Sequence, residues 1–177
     1  MSSGTGFNSV TDSFTLSSPA TVGGATFSLW DDPGATVTGV SWEITSSPFG
    51  GTTLASGTDG SVGPNTLLVS DFSGYDILAE TTTIPSLSLP AGTYWFELLN
   101  GTASDGGLVA WDESDGPSSA YQDNTGTSIP SETFQISGTT TTVPEGGAPL
   151  LYLLLAAAVC GGAIFFGSRT SLRTSDV

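Results

Sequence analysis

Residues 39–47 alternate strictly: Val40, Trp42 and Ile44 are apolar, and Ser41, Glu43 and Thr45 between them are polar. Only an extended strand turns this period of two into one dry face and one wet face. The pattern returns at Phe27 and Leu29 and again at Phe134 and Ile136, while no segment from Ser13 to Ser137 sustains the 3.6-residue apolar period of a helix. Clusters of Gly, Pro, Asp and Ser separate the apolar runs, at intervals that predict roughly nine or ten short strands. The expectation is an all-β domain over residues 1–137, an antiparallel β-sandwich or jelly roll.

Residues 94–99 are apolar on both faces except at Glu97, which places that run centrally in a sheet. Leu87 and Leu89 close the preceding run, and Pro90-Ala91-Gly92 turns the chain between the two. The aromatic side chains of Phe14, Phe27, Trp42, Tyr94, Phe96, Trp111 and Phe134 are the expected filling between two inner faces.

Charge narrows the chemistry. The chain has 177 residues with 17 acidic side chains, two arginines, no lysine and no histidine, and 16 of the acids precede residue 148. So acidic a domain repels nucleic acid and anionic lipid. Without His, and with Cys160 as its single cysteine, it offers no Ser-His-Asp or Cys-His catalytic set, no His- or Cys-ligated zinc site and no disulfide framework. Carboxylate pairs of the glycosidase type are the one acid-base option left, and the expectation is a protein that is not an enzyme.

Composition changes after Gly138. Residues 138–147 read as a Thr-, Pro- and Gly-rich linker, too polar to order itself by burial. Residues 148–167 then run for twenty positions without a charge, long enough as a helix to cross the roughly 30 Å core of a bilayer. Arg169 and Arg173 follow in a short basic tail over 168–177, so the positive-inside tendency puts the C-terminus in the cytoplasm and the acidic domain outside. An exported domain expects a signal peptide. Residues 1–16 contain neither a basic n-region nor an apolar h-region, so the expectation is that the true start lies upstream.

Val143-Pro144-Glu145, followed by the apolar run and by Arg169, resembles the PEP-CTERM sorting signal of exported Gram-negative proteins. The resemblance covers about a fifth of the chain. It implies that Val143, Pro144 and Glu145 are recognised by exosortase, an integral-membrane cysteine transpeptidase, and it suggests association with extracellular polysaccharide at the cell envelope. Two departures stand out: Gly146 occupies the place of a usual second proline, and the two arginines are separated where the family has a tight cluster. The same tail type also occurs as the C-terminal domain of certain ice-binding proteins. Ice binding calls for flat ranks of Thr, whereas Thr81-Thr82-Thr83 are contiguous and alternate between faces in a strand.

Two further sets of side chains are candidates for binding. Asp112, Glu113 and Asp115 form the densest acidic cluster and are oxygen ligands of the kind Ca²⁺ takes, although turn chemistry explains an Asp-Ser-Gly-Pro loop equally well. Asp31 and Asp32 offer the same two readings. Trp30, Tyr75 and Tyr121 lie beside acidic loops and are candidates for an aromatic sugar platform.

Overall fold

The computed structural model describes residues 9–60, 62–122 and 127–140. The chain divides into two compact units, Met1–Thr141 and Thr142–Val177. Val143, Pro144, Glu145, the expected span over 148–167, Arg169 and Arg173 lie outside the described residues. Among the described residues no helix is long and apolar enough to cross a membrane.

The first unit is all-β, as its period-two sequence requires. One sheet holds, in spatial order, β11 (Thr127–Ile129), β10 (Ala120–Gln122), β1 (Val10–Leu16), β7 (Gly92–Ala103), β3 (Val37–Thr45) and β4 (Thr53–Asp59). The other holds β13 (Phe134–Thr140), β2 (Ala20–Asp31), β6 (Tyr75–Leu89) and β5 (Gly63–Phe72), with the short β8 (Ala110–Trp111) also paired to β2. A two-stranded ribbon of β9 (Glu113–Ser114) and β12 (Ser131–Glu132) completes the set, and every pairing is antiparallel.

The core follows the sequence pattern. Val40, Trp42 and Ile44 are buried, while Ser41 and Glu43 between them are partly exposed. Strand β7 is central, flanked by β1 and β3, and buries Phe96 and Leu98 completely. Phe96 meets Phe27 from the other sheet at 6.0 Å between centroids, Trp111 edge-on at 5.8 Å and Phe134 stacked at 5.8 Å. Such a cluster is the strongest apolar anchor a sandwich of this size has. Phe14 and Tyr94 pack against it from a partly buried position.

Three expectations need correction. Residues 75–89 form one strand of 15 residues, so the run closed by Leu87 and Leu89 begins as far back as Tyr75. Pro85 is tolerated because β5 covers β6 only as far as Thr81, and the β2 pairing skips from Thr83 to Leu87 across a bulge. The missing N–H of proline therefore costs no ladder bond. The domain also does not end at Ser137: β13 continues to Thr140, pairing Gly138, Thr139 and Thr140 with Val22, Thr21 and Ala20. Those three residues belong to the sheet and not to the linker. Main-chain pairing, to which composition is blind, orders them. Finally, the unpredicted β4, with its weak Thr-Leu-Ala-Ser-Gly sequence, forms because Gly57 lets it lie directly over Trp42.

Candidate functional site

Carboxylates with no base to answer them dominate the described surface and, less expectedly, the interior. Asp12 on β1 is fully buried and accepts hydrogen bonds from the backbone N–H of Ser13 at 2.6 Å, the Ser118 hydroxyl at 2.9 Å and the backbone N–H of Glu132 at 2.7 Å. Burial pushes its pKa up, and those three donors pull it part of the way back. Glu132 is 5% exposed and its Oε2 has no hydrogen-bond partner. Burial pushes its pKa up to about 8, and the neighbouring carboxylates of Glu113, Asp12 and Asp112 add to the shift. At neutral pH this side chain is predominantly a neutral acid.

Glu132 forms part of the wall of a cleft of about 540 Å³, bounded by residues 13–16 of β1, 20–22 of β2, 134–140 of β13 and the loop around Pro117. That volume is the size of a small-molecule site. The cleft lies where the chain crosses from β1 in one sheet to β2 in the other through the short turn at residues 17–19.

A second polar centre gathers around Asn65 and Glu80. Asn65, held at a φ of 54° that Asn tolerates better than most residues, accepts from the Val37 N–H at 2.7 Å and donates to the carbonyls of Val37 at 3.2 Å and Val62 at 3.1 Å. Its own N–H donates to Glu80 at 3.2 Å. One side chain thus ties β5 of one sheet to β3 of the other. Glu80 is fully buried, and burial pushes its pKa up to about 7, against the pull of the Asn65 N–H and with a smaller push from Asp31. Asp31 is likewise buried and raised, first by burial, with Asp105, Asp32 and Asp76 adding to it against the bond from the Asp32 N–H. Sequence reasoning missed Asn65 and Glu80. The only signal available was a polar residue at a position where the strand pattern calls for an apolar one, as at Glu80 between Leu78 and Thr82.

The acidic cluster of the Asp112 loop does not assemble. The Asp112 carboxylate accepts from Trp30 Nε1 at 2.5 Å and from the Thr133 hydroxyl at 3.2 Å, while Glu113 and Asp115 are exposed. Among the described residues no group of three or more acidic or cysteine side chains is placed to hold a metal ion. The expected Ca²⁺ set of Asp112, Glu113 and Asp115 does not converge on one point, because Asp112 is engaged by Trp30 and Thr133 while Glu113 and Asp115 face solvent.

That bond orients an aromatic group. Trp30 stands edge-on to Phe72 at 5.5 Å and tilted against Tyr75 at 5.7 Å, with Phe72 half exposed. The structure thus brings two of the three aromatic candidates together and adds Phe72, while Tyr121 lies on β10 of the other sheet. A carboxylate pair also occurs: Glu43 and Glu97 face each other in register across β3 and β7, and both line a cavity of about 510 Å³ with Phe49 and Asn100. No family model, no curated protein and no solved structure matches the chain.

Proposed function

We propose that the chain is an exported cell-envelope protein of structural or adhesive type, without catalytic activity. Its sandwich, wound as a jelly roll, is presented by a C-terminal sorting signal and membrane helix. The observation that carries the reading is the order of residues 143–173: Val143-Pro144-Glu145, twenty uncharged residues, then Arg169 and Arg173. Its support in the fold is that the first compact unit closes at Thr141, two residues before Val143, so that cutting near Glu145 spares every strand among the described residues. The implied partners are the membrane, an exosortase-type transpeptidase and extracellular polysaccharide. Production with an exportable leader in a Gram-negative host that carries an exosortase tests it. The expected result is a membrane-bound precursor and a shorter product ending near Glu145 by intact mass, with precursor alone for Glu145→Ala. A precursor that does not sediment with membranes overturns the anchor, and an uncut wild-type chain overturns the processing.

A second reading, a carbohydrate-binding surface, is favoured by the Trp30–Phe72–Tyr75 group, in which the bond from Trp30 to Asp112 fixes one ring and Phe72 is open to solvent. Polysaccharide pull-down by the wild-type chain, lost on Phe72→Ala, is the expected result. Equal retention of both proteins counts against it.

A further inference from the structure

The cleft beside Glu132 combines features that are costly unless used. Its walls include the apolar side chains of Phe14, Leu16, Val22, Phe134 and Ile136. Several hydroxyls around it are already committed: Ser118 donates to Asp12, Ser114 to the carbonyl of Glu132 and Thr133 to Asp112. Glu132 is a wall residue with a carboxyl oxygen that is buried without a partner. A carboxyl oxygen so placed is destabilising unless something pairs with it.

Charge selects what fits. No basic side chain occurs before residue 148, and the carboxylates of Asp12, Asp112 and Glu113 lie within electrostatic reach of Glu132. An anion entering the cleft meets the repulsion of these carboxylates. A neutral molecule leaves the excess of carboxylates as it was. A cation relieves it, and an apolar body on the same molecule fills the walls, with the rings of Phe14 and Phe134 adding their negative faces.

We propose that this cleft is a binding site for a small organic cation, a primary or quaternary ammonium carried on an apolar body of a few carbons. The ammonium takes the place of the acid proton of Glu132, which leaves to solvent, and the hydrocarbon lies along β1 and β13.

Methyl NMR of the full chain, following Leu16, Val22 and Ile136, tests this with hexylammonium, 1-hexanol and hexanoate as probes. The expected result is saturable shifts at all three residues with hexylammonium, and binding of the alcohol and the carboxylate weaker by about tenfold or more. Because the ammonium replaces a proton, affinity for hexylammonium rises as pH increases through about 8, the value to which Glu132 is pushed. Glu132→Gln, an isostere of the neutral acid, is expected to keep the core resonances in place, lower the affinity about tenfold and abolish the pH dependence. Hexanol binding as tightly as hexylammonium, undiminished affinity in E132Q, or shifts that never saturate would each overturn the proposal.

Discussion

The carboxylate of Asp12 accepts the backbone N–H of Glu132 at 2.7 Å, across 120 residues of sequence and with both residues buried. The bond fixes β12 against the start of β1, and the hydroxyl of Ser118 joins it on the same oxygen. One acid near the N-terminal end of the domain thus organises a loop and a ribbon near its C-terminal end. Asp12→Ala removes three acceptor bonds and strands buried donors, so a loss of roughly 3 kcal/mol is expected in urea unfolding. Asp12→Asn, which keeps one carbonyl acceptor, is expected to lose less.

Acidity affects stability in an unusual direction. The folded-state pKa values of Glu132 and Glu80 are raised to about 8 and about 7, and those of Asp12 and Asp31 are also raised. Between the ordinary carboxylate range and those values the folded chain binds more protons than the unfolded one, so stability falls as pH rises. It is fully present below about pH 4 and is lost progressively up to about pH 8. Repulsion among the ionised surface acids acts in the same sense. Urea midpoints from pH 4.5 to 9 are expected to decline steadily. Glu132→Gln flattens the upper part of that curve, and added salt raises its alkaline end.

Asn65 holds the two sheets together through Val37 and Glu80. Asn65→Ala forfeits the side-chain bonds to Val37 and Val62, keeps the backbone N–H that bonds Glu80, and places a residue with a poorer tolerance of positive φ at 54°. A loss of about 2–4 kcal/mol is expected. The backbone N–H that bonds Glu80 is retained in the variant, so the loss is read as a lower urea midpoint while the Glu80 carboxyl ¹³C titration stays near its wild-type position.

At Gly57 a Cβ atom would stand 2.7 Å from Trp42 Cζ2, whereas at Gly60 it meets nothing within 4 Å. Gly57→Ala is therefore expected to cost about 1–3 kcal/mol by overpacking and to shift the Trp42 emission. Gly60→Ala is expected to stay within about 0.5 kcal/mol of wild type.

The fold was legible wherever one face of a strand is dry. Val40, Trp42, Ile44, Phe27 and Leu29 declare their burial through alternation, and the run around Phe96 declares a central position by lacking it. Strand β4 escaped notice because its contribution is a missing side chain at Gly57. The joining of residues 75–89 escaped because a proline reads as a break unless its neighbour strands are known. Of the site, Trp30 and Tyr75 were candidates beside Tyr121, but nothing in the sequence showed that those two rings meet or that Phe72 joins them. The acidic loop at Asp112 looked like a metal site because sequence shows which oxygens are near each other along the chain. It does not show that one of them is bonded to an indole 82 residues away. Glu132 was invisible as a special residue, since its character comes first from burial and then from the acids of Glu113, Asp12 and Asp112, which lie far from it in sequence or on another strand.

Strand β13 lies at a sheet edge, held on one side by β2, and its ladder breaks register between Ser137 and Gly138. Any pull on the chain beyond Thr140 enters the sandwich through this strand. The pairs of Thr140 with Ala20 and Thr139 with Thr21 take the load first, and the register break divides them from the pairs that end at Phe134 in the aromatic cluster. The domain is thereby fitted with a mechanical fuse: three pairs can part under tension and re-form while Phe134 stays seated.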